Sequence, residues 1–318
     1  MKGKYTWLRY YCGSIIQRYW NTLMVVTKTN LLLSSRFKKK RITCDAVNEY
    51  IADCIENHIP TMVSRFGCFE SRCMGQGYGI EYGWLKTYTK TALRPIFNNA
   101  GVFPYGNDGV QNFFELTKAA IKDIDLLGVW TTEMHDYLVN VKCPSSMQIT
   151  NLDNLEPFRS ERPWTKALAG NRVVVVHPFK DTIEMQYEKR EHLFENPDML
   201  PEFDLRVVKA VQTIAGQKDD RFEKWEQALQ YMYHECMKED FDVAIIGCGA
   251  YGMPLASMLK RAGKVAIHVG GATQVMFGIK GKRWDNNSIS GLYNSYWVRP
   301  MESDTPQNAS SVEKGCYW

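Results

Sequence analysis

Apolar positions recur along this chain in two periods. Val47, Tyr50, Ile51, Cys54 and Ile55 fall at i, i+3, i+4, i+7 and i+8, one face of a helix with Asp45 as its expected cap and Pro60 as its end. Thr61-Met62-Val63-Ser64 then predicts a short strand. Phe113, Thr117, Ala120, Ile121 and Ile124 mark a second helical face, which runs directly into the buried-strand pattern Leu126-Leu127-Gly128-Val129-Trp130. Between these segments lies a stretch rich in glycine and aromatics, with Gly75, Gly77, Gly79, Gly83, Tyr78, Tyr82 and Trp84, expected to be a loop. Residues 143–170 carry Pro144, Pro157 and Pro163 among polar positions and are expected to connect two halves, 45–142 and 171–318.

The second half is more regular. Four consecutive valines within residues 171–176 fit a strand buried on both faces. Residues 205–214 are expected to form one helix, and Phe222, Trp225, Leu229, Met232 and Cys236 mark another. Residues 242–246 predict a second buried strand, residues 251–261 a helix stopped by Gly263, and residues 265–269 a third strand. Strands alternating with helices predict an α/β fold: a Rossmann-like parallel sheet flanked by helices.

With 318 residues, 45% hydrophobic and 23% charged, the chain can bury a sizeable core, which excludes disorder and a small disulfide scaffold. The net charge of +4 conceals a division: residues 1–44 hold ten Lys/Arg and no acid, so the remaining 274 residues carry 29 basic against 35 acidic side chains. The arm mixes its cations with Trp7, Tyr10, Tyr11, Trp20, two apolar runs at 23–26 and 31–33, and Lys38-Lys39-Lys40-Arg41. Basic plus aromatic composition suits contact with an anionic membrane surface, while Lys28 interrupts the apolar stretch too early for a spanning helix. The apolar run is late, broken and without a small-residue cleavage site, unlike a signal peptide. The alternative for the arm is a basic extension packed against the body. Nine scattered cysteines without C-x-x-C spacing are expected to be reduced thiols in a cytoplasmic protein, peripheral at most on the inner membrane face.

The most informative chemistry is Gly247-Cys248-Gly249-Ala250-Tyr251-Gly252, a G-x-G-x-x-G between a buried strand and a helix. Such glycines permit a tight turn and a close approach of phosphate to a helix start, or serve only strand-to-helix packing. The acid that would hold a ribose hydroxyl about 20 residues on is missing, so NAD is not expected and another nucleotide is. Strand exits collect ligands in such sheets, and here they carry Arg65, Gly67 and Glu70; Thr131 and Glu133; His177, Pro178 and Asp181; the Gly247 turn; and His268, Gly270 and Gly271. Gln274, Lys280, Lys282, Arg283 and Trp284 follow, cations among glycines that suit a diphosphate, with a ring to stack on a base or sugar. Glu70 is the candidate general base or metal ligand, or an ion-pair partner of Arg65; Asp108 is a second carboxylate, and His177 and His268 are either functional or satisfied core histidines.

Arg65-Phe66-Gly67-x-x-Glu70, together with the later strand, glycine turn and helix, resembles the GT-D-fold bacterial glycosyltransferases of surface-polysaccharide and adhesin glycosylation. HPF at 177–179, IGCGAYG at 246–252, GGATQ at 270–274, FGIKGKRW at 277–284 and CYW at 316–318 are similar to bacterial sequences placed near that group, so the resemblance covers about residues 46–318. It implies a nucleotide-sugar donor, in particular a UDP-sugar, a saccharide or lipid-linked acceptor, and Mn²⁺ or Mg²⁺ held by an acidic D-x-E pair. Here Cys68 stands at the first acid position and only Glu70 matches; thiols are poor ligands for hard cations. The resemblance places the donor diphosphate at residues 247–252 with Lys280, Lys282 and Arg283 around it, Glu70 as base and Trp84 or Trp284 against the acceptor. Rival classes are an S-adenosylmethionine enzyme on the same turn, a noncatalytic nucleotide-binding or assembly protein, and nucleic-acid binding through the arm, which the net acidic body disfavours.

Overall fold

The computed structural model describes residues 2–24, 36–286 and 288–318. Seven strands form one all-parallel sheet: β1 (Thr61–Arg65), β2 (Leu126–Val129), β3 (Gln148–Asn151), β4 (Arg172–His177), β5 (Asp204–Lys209), β6 (Val243–Ile246) and β7 (Val265–His268), in the order β3-β2-β1-β7-β6-β4-β5. The helices are α1 (Lys2–Met24), α2 (Cys44–Glu56), α3 (Cys68–Glu81), α4 (Lys90–Ala100), α5 (Asn107–Ala120), α6 (Lys180–Tyr187), α7 (Trp225–Met237), α8 (Gly252–Arg261) and the short α9 (Ala272–Met276). The Rossmann-like α/β architecture expected from the alternation is therefore what forms. β1 pairs with β7, Met62 opposite Ala266, so both halves of the chain build the same sheet.

The valine run shows why the sheet is buried on both sides. Val174 and Val176 enter the core that contains α3, α5, α7 and α8, whereas Val173 and Val175 enter the one with α2 and α6. Alternation in space thus hides behind an unbroken apolar sequence.

Four expectations are corrected. Residues 205–214 are not a helix: β5 pairs with β4 over six residues and residues 210–214 leave it as coil. Leu205, Val208, Val211 and Ile214 recur every three positions and mimic a helical face, but three of them are β-branched and the neighbouring strand supplies a ladder. Of the glycine-rich stretch, Tyr82, Gly83 and Trp84 form the turn expected, but Gly75, Gly77, Tyr78 and Gly79 lie in the body of α3. Its glycines allow close helix packing: a Cβ at Gly75 would lie 2.5 Å from Met134 Cγ and one at Gly79 2.4 Å from the Trp7 ring. Asp45 sits in the first turn of α2, where it favours the helix dipole, while the cap is Thr43, whose hydroxyl accepts from Ala46 N at 3.4 Å. The connection at 143–170 contains the edge strand β3, too short to stand out in sequence.

The basic arm is tied to the body along both α1 and residues 36–42. Trp7 is buried, and its indole Nε1 donates to Gly75 O on α3 at 2.7 Å. Residues 40–42 run beside β3, with Ile42 N donating to Ile149 O and Ile149 N to Lys40 O, each at 2.9 Å. Arg41 and Lys39 reach Asn151 Oδ1 and Pro144 O, both at 2.8 Å, so part of the Lys-rich run covers the sheet edge. Residues 25–35, with the apolar run at 31–33, lie outside the described residues, as do the side chains of Trp20, Leu23 and Met24. Among the described residues no helix is long and apolar enough to cross a membrane.

Replacing Trp7 by Ala removes a buried indole and its hydrogen bond, and a loss of about 3 kcal/mol in unfolding free energy is expected in urea titrations. An unchanged midpoint would show that α1 adds nothing to the stability of the body.

Candidate functional site

Chain direction reverses within the sheet. From β4 the chain passes through α6 outward to the edge strand β5; from β6 it passes through α8 inward to β7. Ile183 of α6 and Leu255 of α8 belong to different cores, so the two helices cover opposite faces. The neighbouring carboxyl ends of β4 and β6 are left uncovered between them, the place where doubly wound sheets hold ligands.

A cleft of about 180 Å³ opens there. Arg65, Gly67, Cys68 and Glu70 come to it from the end of β1, Trp130 from β2, His177 and Phe179 from β4, and residues 210–214 from β5. Gly247, Gly249 and Tyr251 come from β6, and His268, Gly270, Gly271 and Gln274 from β7. Arg283, Val312, Glu313, Tyr317 and Trp318 also line it, as do Asn99, Ala100 and Gly101 where α4 ends. Twelve of the predicted site residues are therefore brought together.

Others are not. Asp108 is exposed in the first turn of α5 and is not part of the lining. Lys280 places its Nζ over the Tyr293 ring at 5.4 Å, and the exposed Lys282 lies beside Gly315, so of the three expected cations only Arg283 lines the cleft. Trp284 is buried against Gly281, and the Trp84 indole donates to Lys4 O at 3.0 Å on the arm. Glu133 is paired with Arg72 at 2.9 Å, and Asp181 stands 4.0 Å from Lys209, both away from the lining.

The three glycines of the β6 turn have separate reasons. Gly247 packs where loops converge: a Cβ would stand 2.7 Å from both His177 Cδ2 and Thr273 Oγ1. Gly249 has φ +61°, the left-handed region that glycine enters without strain. Gly252 lies beneath the His268 ring, where a Cβ would be 2.2 Å from Nε2, so it serves packing and not the cleft. Only Gly247 and Gly249 face the site.

Tyr251 is shared between core and cleft. Its ring stacks on Trp225 with centroids 4.6 Å apart, and its hydroxyl meets Thr213 Oγ1 at 3.4 Å.

Both cleft histidines are held neutral. Burial lowers the pKa of His177 to about 3, and burial, aided by the Arg65 charge, does the same to His268. Phe179 N donates to His177 Nδ1 at 3.0 Å, so the neutral ring carries its proton on Nε2 and can donate there but not accept. His177 is thereby a hydrogen-bond donor rather than a general base. His268 Nδ1 meets Ser64 Oγ at 3.0 Å. A third buried histidine, His135, also falls to about 3 by burial; its Nδ1 donates to Trp130 O at 2.9 Å, while Trp130 Nε1 donates to Phe66 O at 2.8 Å. These bonds hold Trp130, over which the Arg65 guanidinium lies at 5.9 Å.

Arg65 keeps a buried Nε without a protein acceptor, next to the Gly270 backbone. Glu70 is half-buried at the third position of α3, with its carboxylate folded back over Gly67, where a Cβ would lie 1.8 Å from Oε2. Enclosure raises its pKa above the usual carboxylate value, opposed by the Arg65 charge and by its own backbone N–H. Cys68 beside it is a neutral thiol, pushed up to about 11 by burial and then by Glu70. Glu70 and Cys68 are thus one hard oxygen donor and one protonated sulfur. Among the described residues no three His, Cys, Asp or Glu side chains gather to hold a metal ion, so this donor set does not fit the Mn²⁺ or Mg²⁺ of the resemblance.

Sequence reasoning missed Trp130, residues 210–214 and the 312–318 wall. Trp130 follows a strand directly and could have been found as an exit residue; residues 210–214 were hidden by the helical expectation.

No family model, curated protein or solved structure matches this chain.

The histidines give a pH signature. Each titrates near 6.5 when unfolded and about 3 when folded, so their stabilisation is complete above pH 6.5 and is lost as pH falls toward 3. Urea unfolding near pH 5 is expected to take up about three protons through them, and His268→Gln to reduce this by about one. A pH slope identical in the two proteins would contradict the assignment.

Proposed function

We propose that the cleft binds a nucleoside-diphosphate sugar, in particular a UDP-sugar, and that the chain is a glycosyltransferase acting on a saccharide or lipid-linked acceptor. The observation that carries the reading is the meeting of Arg65, with its unpartnered Nε, and Arg283 in a cleft at the sheet's reversal point, beside the Gly247–Gly249 turn. Two guanidinium groups suit a diphosphate, and Trp130 and Tyr317 offer rings to a base.

In this reading the acceptor oxygen attacks the anomeric carbon as its bond to the diphosphate oxygen breaks, and the electron pair leaves with UDP. Arg65 and Arg283 stabilise the charge that develops there, His177 Nε2–H donates to a phosphate or sugar oxygen, and Glu70 takes the acceptor's proton. A raised carboxyl pKa brings Glu70 nearer to working pH as a base. No step is assigned to a metal. The arm would hold the enzyme against an anionic membrane surface where lipid-linked acceptors lie. One observation favours a second reading, a noncatalytic nucleotide-binding protein: the Glu70 carboxylate is folded onto the start of its own helix.

Calorimetric titration with UDP tests binding, with Arg65→Met and Arg283→Met each expected to weaken it about tenfold or more. UDP-sugar turnover lost in Glu70→Gln with binding retained would support the transferase; binding without turnover in either protein would favour the second reading. Stabilisation by S-adenosylmethionine and not by UDP would overturn both.

A further inference from the structure

Residues 312–318 form one wall of the cleft, and their attachments are unusual. Glu313 pairs with Arg283, Cys316 O accepts from Arg283 N at 2.9 Å, and Tyr317 O accepts from Gln274 Nε2 at 3.1 Å. Just upstream, Ser311 O accepts from Asn98 Nδ2 of α4 at 3.2 Å. The backbone between these anchors is left-handed at three consecutive residues, with φ of 44° at Glu313, 61° at Lys314 and 72° at Gly315. Two of the three carry side chains, which that region disfavours.

The wall also traps polar atoms. Gln274 is fully buried; its Nε2 is committed to the carbonyls of Ile279, Lys280 and Tyr317, which leaves Oε1 as an acceptor without a donor. Trp318 Nε1 is a buried donor without an acceptor. Opening this wall relieves a strained backbone and gives two unpaired polar groups access to water or ligand, which offsets part of what its ring contacts, Trp318 with Phe179 and Tyr317 with Trp284, contribute to closure. Its ion pair is Glu313 on Arg283, whose guanidinium also lies over the Tyr317 ring at 4.5 Å.

We propose that residues 312–318 are an intrasteric plug, in which the Glu313 carboxylate occupies the Arg283 guanidinium in place of a phosphate. A phosphate-bearing ligand exchanges one anion for the other, releases the plug and uncovers Gln274 Oε1 as an acceptor for a hydroxyl or N–H of that ligand. The identity of the anion rests on the nucleotide-sugar reading; the latch is a property of the chain itself.

Amide hydrogen exchange across residues 309–318 of the full chain tests it, with and without saturating UDP and in Glu313→Gln. The amides of residues 312–318 are expected to exchange about fivefold faster or more with UDP, and equally so in Glu313→Gln without ligand, whose calorimetric affinity for UDP rises by a similar factor. Exchange unchanged in Glu313→Gln overturns the latch whether or not UDP binds. If UDP binds neither protein but the variant exchanges faster, the latch stands and the nucleotide reading falls. If UDP binds and leaves this exchange unaltered, the reading stands and the plug is overturned.

Discussion

The site depends on one constraint: a parallel sheet buried on both faces must send its connections over alternate sides, and where the direction of winding changes no connection covers the strand ends. In this chain that happens between β4 and β6. The order β3-β2-β1-β7-β6-β4-β5 then places the exits of β1 and β7 beside it. Arg65, the two neutral histidines and the Gly247–Gly249 turn are delivered there by strands whose own residues are committed to core packing, while Arg283 and residues 312–318 close the cleft from the later turns.

The chemistry of the cleft follows from low solvent access. Burial holds His177 and His268 neutral and raises the Glu70 carboxyl, while Arg65 stays near the Gly270 backbone with an unsatisfied Nε. The cleft thus combines neutral imidazole donors, a carboxyl whose pKa is raised by enclosure, and the Arg65 guanidinium with an unpartnered Nε. Tyr251 and Gly252 show how nearby positions of the same motif are claimed by structure: one stacks on Trp225, the other makes room for the His268 ring.

Much of this was legible from periodicity. The valine run, residues 242–246 and residues 265–269 have no explanation other than buried strands, and their exits, together with the end of β1 and Arg283, pointed to twelve of the residues that meet in the cleft. The failures have physical causes. In β5 a three-residue recurrence imitated a helix until β4 supplied hydrogen-bond partners, and the loop that follows it into the cleft was lost with it. In α3 glycines that look like loop formers are small because Trp7, Phe114 and Met134 press on the helix. The cations at Lys280 and Lys282 share a sequence neighbourhood with Arg283 but turn elsewhere, since residues 282–284 form a single tight turn. The Glu313 partner of Arg283, 30 residues away, had no local signal at all.

The central claim is that these strand exits form one anion-binding cleft. A crystal structure of the full chain with UDP tests it most directly. The account predicts diphosphate density between the Arg65 and Arg283 side chains, next to the Gly249 turn. Ordered UDP elsewhere on the molecule, with both guanidinium groups unmoved and without contact to it, would contradict it.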